Sequence, residues 1–436
     1  MNQGTGRTAL IATIIAVIIA AGAGALIWRV YRGDSTLLRN VAISETLMTP
    51  NADGDTDLIR IAYEISRNAT VSIWFENEAG EQFWFRRDRP RGNGEYQVLF
   101  SGVVEGYRLP DETVQGEIVA RLLQNGDYDL VIEAVDENGA VEVHRSPLTV
   151  ADADTDLPEM REFSISPQIF TPNRDGISDR VEIQYALQKK ADVRVALVLP
   201  SGGEIPIFEK ERNVPAGEPG RHYYDYEGGV DNGETPPPNG TYEIIAFAED
   251  EEGQKMTVRE TLSIELGGVP RADIFAPASG DTFEVSATAV TLCDTLYFTM
   301  TVENYGNTPI RTTGPAPGTI YSSEENYNSI GWHTESGAWR IAIGFENELS
   351  NYQYRWAVGS DDELVEIDGF KYLMPGERAL VTGGIKVTGA FGERNPQPMW
   401  AGLIHEDVEV SQFNNRVDPK AILVDLPDPD NIQPCE

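Results

Sequence analysis

The side chains with the clearest chemical potential stand in two short loops. Asn51, Asp53, Asp55 and Asp57 place oxygen donors at alternate positions around Gly54, within the run Thr49-Pro50-Asn51-Ala52-Asp53-Gly54-Asp55-Thr56-Asp57. Hard calcium ions favour oxygen-rich loops with a tight turn of this kind. A second copy, residues 171–179, keeps Asn173, Asp175 and Asp179, while Ile177 offers only its backbone carbonyl. An EF-hand needs a bidentate Glu at the twelfth loop position. Counted from Asn51 and Asn173, that place holds Ala62 and Gln184, so neither loop is an EF-hand. The same residues also build Asx-turns, in which Asn and Asp side chains accept hydrogen bonds from nearby backbone amides. Calcium and turn both stand on the sequence alone.

Aromatic side chains crowd the last third of the chain: Tyr321, Tyr327, Trp332, Trp339, Tyr352, Tyr354, Trp356 and Trp400. Two or three on one flat face would stack on sugar rings, and Trp332, Trp339, Tyr354 and Trp356 are the candidate ligand-binding set. Core packing is the competing reading, because aromatics bury large areas and alternate here as buried strands do. Cys293 and Cys435 are the sole cysteines. They form either one disulfide, clipping the tail to the third domain in an oxidising compartment, or two free thiols. The histidines His144, His222, His333 and His405 are scattered. They show no metal-ligand spacing, and neither a nucleophile elbow nor a phosphate-cradling Gly-rich loop is present. No catalytic residue is named, and the expectation is a protein that is not an enzyme and needs no cofactor unless calcium fills the loops.

Each loop feeds an alternating strand. Ile59, Ile61, Tyr63 and Ile65 follow the first, and Val71, Ile73 and Phe75 mark the next. A late strand carries Tyr128, Leu130, Ile132 and Ala134 and ends at the turn Asp136-Glu137-Asn138-Gly139. The second copy repeats the plan. Tyr63 and Ile65 match Tyr185 and Leu187 at an offset of 122, whereas Tyr128 and Gly139 match Tyr242 and Gly253 at 114. The first copy therefore carries eight extra residues in its middle, where loops absorb insertions. Residues 271–425 differ: Leu296, Phe298, Met300 and Val302 alternate, as do Trp339, Ile341, Ile343 and Phe345, then Tyr352, Tyr354 and Trp356. The reading is all-β, with immunoglobulin- or fibronectin-III-like β-sandwiches at 40–150 and 158–266. An adhesion-like β-sandwich at 271–425 and a Pro/Asp-rich tail at 426–436 follow.

Residues 8–28 are uncharged and mostly apolar. At about 1.5 Å per residue such a run spans a hydrocarbon core of about 30 Å as a helix. Trp28, Arg29, Tyr31 and Arg32 follow as interfacial anchors. Residues 1–35 are thus expected to be a short tail and a transmembrane anchor, with a cleaved signal peptide ending near Ala23-Gly24-Ala25 as the alternative. Acidic residues number 70 against 34 basic, a net charge of -36. Such a surface repels phosphate backbones, so nucleic acid is excluded as a partner. The arginines after the apolar run favour a cytoplasmic body, but long domains translocate largely regardless of flanking charge, and export is expected.

The duplicated pattern resembles the bacterial immunoglobulin-like domain of the flagellar hook-capping and gliding-motility type. Its opening turn is matched by Pro172-Asn173-Arg174-Asp175-Gly176-Ile177-Ser178-Asp179, and its close by Gly126-Asp127-Tyr128 and Ala134-Val135-Asp136-Glu137-Asn138-Gly139. In the second copy Gly240-Thr241-Tyr242 is kept, Glu249 and Asp250 are read as shifting the acidic part of the turn, and Tyr224-Asp225-Tyr226 echoes a Trp-Asp-Gly. The third region is similar to a bacterial cell-adhesion-related β-sandwich. Val302-Glu303-Asn304-Tyr305-Gly306-Asn307, Pro375-Gly376-Glu377 and Gln412-Phe413-Asn414-Asn415 carry that likeness, with 311–369 read as an insertion. These resemblances imply spacing and adhesion modules without catalysis. The expected protein is membrane-anchored and extracytoplasmic, presenting a distal interaction domain to a protein or polysaccharide partner. The alternative is carbohydrate binding by the aromatic-rich third domain.

Overall fold

The computed structural model describes residues 36–210, 214–278, 280–346, 352–389, 394–425 and 435. The run 8–28 and all of the tail 426–436 except Cys435 lie outside the described residues. Among the described residues, regular structure is strand apart from one 3-10 turn at Val230–Asn232. No helix among them is long and apolar enough to cross a membrane. The chain divides into two compact units. One holds the described residues to Glu159 with Gln188–Asp192 and Phe247–Thr257; the other holds Met160–Leu187, Val193–Ala246 and the chain from Val258.

In the first unit, the alternation of Ile59, Ile61, Tyr63 and Ile65 buries one face of strand Ile59–Ile65. That strand pairs antiparallel with Leu38–Ile43 and Gly94–Phe100. The opposing sheet orders Leu47–Met48, Val141–Val150, Gly126–Asp136, Ala69–Asn77 and Gln82–Arg91. Val71, Ile73, Phe75, Leu130 and Ile132 meet Ile59, Ile61 and Tyr63 in one apolar core. The entering chain changes sheets, since Leu47–Met48 runs parallel to the closing strand Val141–Val150. The Tyr128 hydroxyl donates to the Gln124 carbonyl at 2.9 Å, a back-bond typical of immunoglobulin sandwiches. The extra length of this copy lies between Phe100 and Gly126, where Val103–Glu105 and Glu117–Leu122 form a hairpin. The reading of a shifted acidic turn in the second copy is corrected. Asp250 Oδ1 accepts from the Gln254 amide as Asp136 Oδ1 accepts from Ala140, each four residues downstream, so the Ala248-to-Gly253 turn is intact.

In the second unit, Met160–Ser166, Val181–Leu187 and Gly220–Tyr226 rebuild the three-stranded sheet. Ile169–Phe170 again runs parallel to the closing strand, and the Tyr242 hydroxyl donates to the Pro238 carbonyl at 2.6 Å. The third domain enters the same way. Ala272–Ile274 pairs with Thr295–Asn304, and Ala289–Thr291 runs parallel to Val417–Asp425. The expectation that 311–369 is an insertion is corrected. Its strand Trp339–Phe345 is buried at every residue and pairs with Gln397–His405 and Tyr354–Ala357. Burial at every position, Arg340 included, marks a strand covered on both faces. Tyr352 adopts φ 58° and stands outside the strand that begins at Tyr354.

Candidate functional site

Both Asn/Asp loops fold identically around one carboxylate. Asp57 Oδ1 accepts from the Asn51 and Ala52 amides, and its Oδ2 from Gly54 at 2.7 Å. Asp179 accepts from Asn173 and from Gly176 at 2.6 Å. Asn51 caps the Asp53 amide and Asp53 the Asp55 amide; Asn173 and Asp175 do the same for Asp175 and Ile177. Positive φ at Ala52, Gly54 and Thr56 recurs at Arg174, Gly176 and Ser178. These are the nested Asx-turns the spacing allows. Among the described residues, no group of three or more His, Cys, Asp or Glu is placed to hold a metal ion.

The loops differ in what surrounds them. Asp53 and Asp55 are exposed, whereas Asn173 and Asp175 are 1% and 3% exposed. The third domain covers the second loop: Tyr372 donates its hydroxyl to Asp175 Oδ2 at 2.9 Å. Arg311 Nε donates to the Asp175 carbonyl at 2.7 Å, and His405 Nε2 to the Arg174 carbonyl at 2.8 Å. The backbones approach so closely that a Cβ on Gly337 would stand 2.1 Å from the Asp175 carbonyl carbon. A Cβ on Gly176 would stand 2.2 Å from the Ser336 oxygen. Burial raises the pKa of Asp175. It carries Asp179 to about 6, with the Asp175 charge adding to the effect. Burial also lowers His405 to about 4, leaving a neutral ring stacked 4.4 Å from Trp339.

The aromatic candidates separate by depth. Trp339, Tyr354 and Trp356 are buried in the core of the third domain, so they offer no stacking face and the four-residue platform is not formed. Trp332 is half-buried and lines an open cleft of about 730 Å³, within the range of ligand sites. One wall is the hairpin Val365–Ile367/Phe370–Leu373. Its Asp368-Gly369 turn has φ 51° and 84°, the signature of a type I′ hairpin. Phe370 is 39% exposed on that wall. Behind the cleft, Glu406 Oε1 accepts from Arg340 at 2.9 Å and Arg355 at 2.8 Å. Arg340 Nε donates to the Thr313 carbonyl of the lining, and its Nη2 has no hydrogen-bond partner among the described residues.

Cys293 and Cys435 are joined in a disulfide, their Cα atoms 5.4 Å apart across 142 residues of sequence. Cys293 occupies the turn after the sheet-switching strand Ala289–Thr291, the topological place of the Asn/Asp loops. Sequence reasoning missed Arg311, Phe370, Lys371, Tyr372 and the Arg340–Glu406–Arg355 cluster. Two signals were present: Asp368-Gly369 between short apolar runs, and a lone arginine inside Trp339-Arg340-Ile341.

No protein-family model and no curated protein matches this chain. Solved structures give loose similarities. A Ca2+-stabilised, ice-binding adhesin of an Antarctic bacterium aligns at 12% identity over 81% of this chain and 74% of its own, TM-score 0.23. A tetra-tandem repeat from the extending region of a large adhesion protein aligns at 10% identity over 84% and 81%, TM-score 0.18. Bacteroides ovatus SGBP-B, from a mixed-linkage glucan utilization locus and in complex with a heptasaccharide, aligns at 12% identity over 90% and 76%, TM-score 0.15. Likenesses at these scores transfer neither fold nor activity, and the β-sandwich assignment rests on the strand pairing itself.

Proposed function

We propose that this chain is an extracytoplasmic structural and adhesion protein, anchored in the membrane through residues 8–28. Its immunoglobulin-like modules mount the third β-sandwich as the interaction domain. The observation that carries the reading is the buried second loop. Its side chains and backbone are consumed in seating the third domain, as a spacer that positions a neighbour requires. The Cys293–Cys435 disulfide supports an oxidising compartment, where such bonds persist. The charge of -36 favours solubility and disfavours polyanionic partners. The reading assigns no catalytic activity and no cofactor. Protease shaving of intact cells tests it: the body of the chain is expected to be digested while a cytoplasmic marker survives. Full protection until the cells are lysed would overturn it.

A further inference from the structure

We infer that the cleft of the third domain is a binding site for an uncharged oligosaccharide. Its apolar lining includes the flat side chains of Trp332 and Phe370, the first half-buried and the second 39% exposed. Its charged lining is balanced. Arg311 Nη1 stands 3.3 Å from Glu335, and Lys371 pairs with Asp361. Two cations neutralised by two carboxylates select no ionic ligand, and the acidic chain as a whole repels polyanions. The same pairs present donors and acceptors side by side, which suits hydroxyl groups that both donate and accept. A ligand with apolar ring faces and hydroxyl edges satisfies both features, and that description is a pyranose.

The cleft is also built to keep its shape. Gly359 holds φ 84°, and a Cβ there would meet Ala379 at 2.8 Å. Arg311, on the floor, is fixed by the Asp175 and Ser336 carbonyls. A preformed site of this kind loses little ordering free energy on binding.

The test is affinity electrophoresis of the full chain through gels containing mixed-linkage glucan, xyloglucan, galactomannan or dextran, with alginate as an acidic comparator. Retardation by at least one neutral polymer is expected, at least tenfold weaker in Trp332→Ala. Because Trp332 packs partly on the core, the double variant Phe370→Ala/Lys371→Ala on the exposed hairpin gives a second reading. It too is expected to lose retardation, while Trp84→Ala in the first sandwich keeps it. Migration unaffected by every neutral polymer, retardation by alginate alone, or retardation unchanged in both cleft variants would each overturn the assignment. None of these outcomes bears on cell-surface exposure, which protease shaving reads separately.

Discussion

At the scale of single residues, the chain treats chemically similar carboxylates very differently. Asp57 accepts three backbone amides, while the side chain of Asp55 is exposed. Removing Asp57 leaves several donors of a tight loop without their charged acceptor. Asp57→Ala is therefore expected to destabilise the first sandwich by about 2–3 kcal/mol, and Asp55→Ala by less than roughly 0.5 kcal/mol. Denaturant unfolding separates the two. Equal losses, abolished by chelator, would instead indicate calcium bound through both. His405 supplies a pH dependence. Its pKa is depressed by burial to about 4, so its contribution is present above about 6.5 and is lost as pH falls toward 4. Asp179, raised to about 6, acts oppositely: its contribution is present below about 4 and is lost as pH rises through 6. The groups around them are Asp175, Arg174, Arg311 and Tyr372. In His405→Gln the slopes of Asp179 and of Asp175, whose pKa is also raised by burial, remain. The melting temperature on acidification from pH 7 to 4.5 is then expected to rise relative to the unmodified protein; a parallel fall would refute the assignment.

At the scale of elements, three sandwiches share one entry device, a first strand that divides between two sheets. Period-two patterning made the inner strands legible, because Ile59–Ile65 and Val181–Leu187 each bury one face against a core. The strand Gln82–Arg91 was not legible. It is an edge strand carrying Arg86, Arg87, Arg89, Pro90 and Arg91, residues that blunt an edge against pairing and so erase the apolar alternation. The aromatic platform misread depth: alternation of Trp339 and Trp356 reports burial, not a binding face. The seat of the second loop was invisible for another reason, since it joins residues about two hundred positions apart, Asp175 and Tyr372. Its tolerance is narrow. Gly337 has φ 80° and no room for a Cβ, so Gly337→Ala is expected to loosen the contact. Limited proteolysis should then cut within 265–270, a stretch that resists in the unmodified protein. An unchanged digest would show that the backbone yields without separating the domains.

At the scale of the whole molecule, composition indicated strands and many turns; it could not indicate that most of the second sandwich forms one compact unit with the third domain. The disulfide was open on the sequence because two cysteines 142 residues apart say nothing of their distance in space. Closing so long a loop restricts the unfolded chain, and its removal is expected to cost up to roughly 5 kcal/mol. Cys293→Ser/Cys435→Ser should lower the denaturant midpoint of the second unit and leave the first unchanged. A single transition shifted as a whole would mean that the units unfold together.

The covalent tie also decides how this molecule behaves when stretched. Tension arriving from beyond Cys435 bypasses the final strand Val417–Asp425 and enters at Cys293, next to the strand Thr295–Asn304. The residues between the two sulfurs then carry no load, and the last strand cannot be unzipped from its free end. Under oxidising conditions the contour of that ring stays hidden for as long as the disulfide holds, and reduction makes it available to extension.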